Sequence, residues 1–157
     1  MGSFDTGFSD AFDAESELEL MAYITAALRL LESFLASSGR FSGGVTIGQP
    51  TAPPETPAAA IFLARGSASL LTTTTFQRER EVTMRVYMDT SIEPIDEAEI
   101  ALDEMVYDTE QDLREDLGLS ATGWIVLGPI NEEYGYVEVG GRNFRTVDIT
   151  LPLRYRA

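Results

Sequence analysis

The chain has 157 residues and a formal net charge of −15, from 26 acidic and 11 basic residues, and is long enough for one domain with its own core. It contains no cysteine and no histidine, and all of its basic residues are arginine. These absences exclude disulfides, thiolate and Ser-His-Asp catalysis, Schiff-base chemistry, the phosphate-loop lysine and zinc held by Cys or His. No apolar run is long enough to cross a bilayer, and no basic-then-apolar leader opens the sequence. The expectation is a soluble protein made in the cytoplasm, with no membrane partner.

The acidity has two readings. Lysine-free, Asp/Glu-rich chains with many Ala and Thr resemble proteins of high-salt organisms, where carboxylates hold water at the surface, while codon bias alone also replaces Lys by Arg. A halophilic chain loses structure when salt is dialysed away; an unchanged circular dichroism spectrum in dilute buffer removes that reading. Either way, the net charge repels duplex phosphates at long range and disfavours nonspecific nucleic-acid binding.

Along the chain, residues 1–15 read as an extended arm and 16–157 as a single domain. The arm, "GSFDTGFSDAFDAESE", carries Phe4, Phe8 and Phe12 among Gly, Ser and Asp, which oppose a stable helix. It is either a frayed end or a strap whose phenyl rings anchor on another protein. A long amphipathic helix is predicted next, with Ser16 and Glu19 as a capping box, Leu20, Ile24, Ala27, Leu28, Leu31, Phe34 and Leu35 at helical spacing, and Gly39 as the stop. A β-prone island at Val45 to Ile47 precedes a loop stiffened by Pro50, Pro53, Pro54 and Pro57. "AAAIFLARG" reads as a strand that "SASLLTTTT" either continues or turns.

"FQREREVTMRVYMD" alternates Val82, Met84, Val86 and Met88 with Glu81, Thr83, Arg85 and Tyr87, the pattern of a half-buried strand. Arg78, Arg80 and Arg85 are expected to project from its hairpin toward a neighbouring subunit or simply into solvent. A second helix follows Pro94, with Ile95, Ala98, Leu102, Met105, Thr109 and Leu113 inward and Gly118 at its end. Between Glu93 and Asp116 it carries eleven carboxylates and, in return, Arg114 alone. Like charges at helical neighbour positions each cost about 0.2–0.5 kcal/mol, so this face is either solvated surface or one that repels something negative. The last third is β-rich: "WIVLGPI" as a strand, "NEEYG" as a turn, "YVEV" as a strand, "GGRN" as a hairpin loop and "FRTVDITLPLRYRA" as a long strand. In the last, Val147, Ile149, Leu151, Leu153 and Tyr155 face one way, and Thr146, Asp148, Thr150, Arg154 and Arg156 the other. Pro152 predicts an edge strand or a bulge, and an edge is where another subunit adds a strand.

No catalytic motif emerges. The carboxylate pairs Asp103 with Glu104 and Glu132 with Glu133 are what so acidic a chain supplies by chance, and no spacing makes a metal cage. Tyr134, Tyr136 and Trp124 read as sheet packing. The expectation is therefore a non-enzyme with no catalytic residues, no cofactor and no metal. Its fold class is α+β: two amphipathic helices packed on a mainly antiparallel β-sheet, with an N-terminal arm and a long Pro-rich loop.

The helix around "ITAALRLLESFL", the strand "EVTMRVYMD", the acidic helix after "SIEP" and the closing "FRTVDITLPLRYRA" occur in an order that resembles the tail terminator, or tail-completion, proteins of long-tailed viruses. The likeness is one of pattern and order and carries no diagnostic motif; the Pro-rich loop and the Phe arm have no counterpart in it. It implies a virion structural protein at the head-proximal end of the tail, assembled in the host cytoplasm. It also implies a homo-oligomeric ring, expected to be a hexamer, that ends tube elongation and contacts the tail tube protein and the neck connector. DNA passes through without specific binding, past an acidic lining for which Asp96, Glu99, Asp103 and Glu110 are the candidates. Under this resemblance Phe4, Phe8, Phe12, Arg78, Arg80, Arg85, Arg154 and Arg156 are candidate subunit or partner contacts. The alternatives are another neck or head-completion connector protein, and a small cellular binding or adaptor domain.

Overall fold

The computed structural model describes residues 23–70, 76–89, 95–114 and 122–156. The first described helix, α1, runs Thr25–Ser37. The expected start near Ser16 lies outside the described residues, and Tyr23 and Ile24, predicted to be helical, precede the helix. Tyr23, Ile24 and Thr25 form a run of one aromatic and two β-branched residues, which lose side-chain freedom in a helix and so weaken it there. At the other end, Gly39 takes φ 75° and the Ser38 N–H donates to the Phe34 and Leu35 carbonyls, the left-handed stop expected of a glycine.

Among the described residues, six strands form one sheet. They are β1 (Val45–Ile47), β2 (Ala58–Leu70), β3 (Phe76–Asp89), β4 (Trp124–Val126), β5 (Asn131–Val139) and β6 (Arg142–Arg156). The second helix, α2 (Ile95–Arg114), lies between β3 and β4 in the chain. The order across the sheet is β1-β2-β3-β6-β4, with β5 also on β6. Among the described pairings, only β1 runs parallel to its partner and the others are antiparallel. The chain thus has the α+β fold read from its sequence.

One face of the sheet carries the main core. Ile61, Val82, Met84, Val86, Val147, Ile149, Leu151 and Leu153 meet Ala27, Leu31 and Leu35 of α1 and Ala98, Leu102 and Val106 of α2. Period-two alternation put the strand residues there and period-3.6 spacing the helix residues. The opposite face is not polar as the alternation of β3 suggested. Ala58, Ala60, Tyr87, Val139 and Phe144 form a second apolar cluster on it, and Thr83, Asp89 and Thr146 are buried there too. The Pro-rich loop runs past the strand ends, from β3 to the β5–β6 turn. Thr56 Oγ1 accepts the Asp89 N–H at 3.3 Å, and Pro53 lies so close to the β5–β6 turn that a Cβ on Gly140 would stand 2.5 Å from its ring.

Two expectations in the last third are corrected. β6 is no edge strand: β3 pairs with it from Phe144 to Arg156 on one side, and β5 (Arg142–Thr150) and β4 (Leu153–Tyr155) share the other. Pro152 is accommodated because its carbonyl accepts the Leu127 N–H and its donor-less nitrogen points to that same side, where the partner strand is broken between β4 and β5. The "NEEYG" segment is not a turn but the first half of β5. The break falls earlier, at Gly128 with φ 53° and Pro129, and the two-residue turn is Gly140–Gly141, both at positive φ.

Candidate assembly surfaces

Three surfaces carry the chemistry: the outer face of α2 with the adjoining part of β5, the face of the sheet opposite α1 and α2, and the sheet edges.

On α2, Ala98, Leu102, Val106 and Thr109 face inward, leaving Asp96, Glu97, Asp103, Glu104 and Asp108 exposed. Ile100 and Tyr107 are also exposed on the outer pole, at 60% and 59%. Of the four candidate lining residues, Asp96 is solvent-facing and Glu110 is half-buried. Glu99 is taken up by Arg145, whose Nε and Nη2 donate to its two oxygens at 2.6 and 3.1 Å. Asp103 accepts the Tyr134 hydroxyl at 3.3 Å. Partial burial, with the charges of Glu132 and Asp103 beside it, pushes the Tyr134 phenol up to about 12.

Arg145 is the residue sequence reasoning missed. It projects from β6 with the same parity as Val147 and Ile149, so it sits at the border of the main core. Tyr134 and Tyr136 lie 5.6 and 4.8 Å from its guanidinium carbon, and Gly135 O accepts a further bond at 3.1 Å. Its pKa is raised, first by the hydrogen bond to Glu99. The signal was present in the sequence, since strict alternation places an arginine on an apolar face and such a residue needs a buried partner. A second cross-link joins the helices. Arg40, just past the α1 stop, donates to Asp112, to Thr109 Oγ1 at 3.3 Å and to the Asp108 carbonyl at 3.4 Å. A cation at the last turn of α2 also suits the helix dipole.

The arginines proposed as outward contacts divide between faces. Arg78 and Arg80 stand on the helix-bearing side of β3. The guanidinium of Arg78 is 5.9 Å from the Trp124 ring centroid, and Arg80 Nη1 donates to the Ser67 and Glu79 carbonyls at 3.0 and 2.7 Å. Burial, then the neighbouring Arg78 charge, lowers the Arg80 pKa. Arg85 stands on the opposite face, in a two-pronged pair with Asp148 at 2.7 and 2.9 Å and 5.1 Å from the Phe62 ring centroid. That hydrogen bond raises its pKa. Arg154 binds Glu79 at 2.9 Å through Nη2. The backbone of Arg156 pairs with Gln77; its side chain, like Phe4, Phe8 and Phe12, is outside the described residues.

Each described arginine side chain therefore has a partner within the chain: Arg29, Arg40, Arg65, Arg85, Arg142, Arg145 and Arg154 in ion pairs, Arg80 on carbonyls and Arg78 over Trp124. No group of three or more potential metal ligands occurs among the described residues. No model of a known protein family matches the chain, and no curated protein matches it.

Proposed function

We propose that this chain is a virion structural protein that caps a viral tail tube as a ring, stops its elongation and joins the tail to the neck. It leaves a channel for DNA, works without catalysis, and assembles in the host cytoplasm. The observation that carries the reading is the distribution of charge on an α+β fold of the expected element order. Carboxylates such as Asp96, Glu97, Glu104 and Asp108 are exposed, whereas the described guanidiniums are engaged within the chain. A channel that passes DNA works best without free cations, since each arginine on a phosphate forms a charge-assisted bond that slows sliding. Internal pairing achieves that while keeping the contribution of arginine to folding.

The deciding experiment mixes the purified protein with tubes of the matching tail protein and images the ends, with native mass spectrometry of the protein alone. Density on one tube end, together with arrested elongation, supports the reading. Tubes that grow on regardless overturn it, and binding to a portal or connector without tube contact assigns the protein to the neck. Replacing Asp96 and Asp103 by lysine is expected to leave assembly intact and to slow DNA ejection. Unchanged ejection makes the α2 face solvated surface.

A further inference from the structure

Among the described residues, β1 pairs only with Ala59 to Ile61 of β2, so from Phe62 to Leu70 that strand is bonded on one side alone, to β3. On the far side of the sheet, β5 is, among the described residues, bonded on one side alone, to β6. Open edges invite pairing, and proteins guard them with lysine, proline or a covering element. Phe62 to Leu70 holds neither lysine nor proline; the guard it carries is a bulge between Leu63 and Arg65, beyond which Arg65 to Leu70 keep regular register with β3. Its residues Ala64, Gly66, Ser67 and Ala68 are small and exposed, Leu63 is 48% exposed, and a shallow recess of about 400 Å³ runs along Leu63 to Ala68 beside Arg80.

We propose that this edge takes β5 of a second copy of the chain, so that one sheet continues from subunit to subunit. Direction, charge and level all favour this occupant. β2, β3, β6 and β5 alternate in direction, so copies placed side by side in the same orientation bring β5 antiparallel to β2. The β5 edge carries Glu132, Glu133 and Glu138, all exposed, and no base. The β2 edge offers Arg65, whose side chain is 80% exposed and only loosely paired with Glu81 at 3.4 Å. In so acidic a chain, an arginine-bearing edge against a glutamate-bearing one is a contact in which copies attract.

The two edges also lie at opposite ends of the strands. β5 flanks the Arg142–Thr150 half of β6, whereas Phe62 to Leu70 lies level, across β3, with Thr150 to Arg156. Joining them steps each copy along the strand direction, which is the tilt that a closed cylinder of strands requires. A contact between two different edges is head-to-tail and repeats into a ring or a helix rather than closing as a dimer. The inference rests on the ring reading above and names the surface that builds the ring.

The chain has no cysteine, so disulfide trapping is free of background. Ala64→Cys, Ser67→Cys and Ala68→Cys, each mixed with Glu132→Cys, Glu133→Cys or Glu138→Cys on a second tagged copy, should yield mixed disulfides under mild oxidation. A β2 and a β5 cysteine on one chain should give a ladder of covalent oligomers ending at the ring number. Arg65→Glu should weaken assembly about tenfold, with partial recovery when combined with Glu133→Arg. Rings seen by native mass spectrometry without any mixed disulfide overturn the edge contact and leave the ring standing. Disulfides between identical β2 variants mean a two-fold contact and overturn it as well. A protein that stays monomeric at every concentration and salt level overturns the edge contact, while tube-end binding still decides the capping function by itself.

Discussion

Arg145→Ala tests whether α2 is locked to the sheet through one guanidinium. The native side chain makes two charge-assisted bonds to Glu99, each of a kind whose net contribution is about 1.5–3 kcal/mol when shielded. Glu99 is 37% exposed against 15% for Arg145, so solvent screening brings the pair down to about 1–2 kcal/mol. The two tyrosine contacts add about 0.5 kcal/mol each at such partly open sites. Arg145→Ala is therefore expected to cost about 2–3 kcal/mol, a fall in Tm of about 4–12 °C for a chain of this size. Arg145→Lys should recover less than half of that loss, since an ammonium cannot make the two-pronged bond. Denaturant unfolding of Arg145→Ala, Glu99→Gln and the double variant gives the coupling directly. A single-variant loss under 0.5 kcal/mol, or a coupling near zero, refutes the reasoning and makes the pair decorative.

Three further outcomes follow from the geometry. Phe144→Ala, in the second apolar cluster, should cost about 3–5 kcal/mol in equilibrium unfolding; a loss below 1 kcal/mol shows that the face opposite α1 and α2 needs no core. Gly140→Ala and Gly141→Ala both force a side chain into the left-handed region, at about 1–2 kcal/mol, but only the former drives a Cβ against Pro53. Gly140→Ala should be the more damaging of the two, and equal losses by thermal melting would sever the Pro-rich loop from the turn. In a spectrophotometric titration Tyr134 should ionise near 12 instead of 10.0, and Tyr134→Phe should remove that late step. Because the folded state holds this proton longer than the unfolded chain, the associated stability is complete below pH about 10 and is lost as pH rises toward 12. Unfolding curves for the native chain and Tyr134→Phe that stay parallel through that window contradict the assignment.

What the sequence disclosed was periodic, and what it hid was relational. Val82 to Met88 and Val147 to Tyr155 alternate strictly, and Ala98, Leu102 and Thr109 repeat at helical spacing, so their inward faces could be read residue by residue. Pro152 misled because a proline reports only that a donor is missing. Which neighbour would have received that donor depends on the break between β4 and β5, far away in the chain. "NEEYG" looked like a turn by composition, yet Glu132 and Tyr134 are held straight by pairing with Ile149 and Val147; tertiary context overrode propensity. Arg85 was grouped with Arg78 and Arg80 by proximity in sequence, and the odd number of steps between Arg80 and Arg85 puts them on opposite faces. The Pro-rich loop gave no sign in its own residues that it runs past the strand ends to the β5–β6 turn.

The place of β6 at the centre of the sheet has a consequence for how the protein comes into being. Among these elements it leaves the ribosome last, yet β3, β4 and β5 all bond to it. Until it emerges, β1, β2 and β3 form a partial sheet with one long unsatisfied side on β3, and the apolar faces of both helices have half a sheet to rest on. Such distant pairings slow folding because the intervening chain must be drawn in first, and an unpaired strand awaiting its partner is where nascent chains associate wrongly. Completion is thus deferred until β6 has emerged, so that chains stopping short of it should be cleared or aggregate rather than persist as half-built subunits.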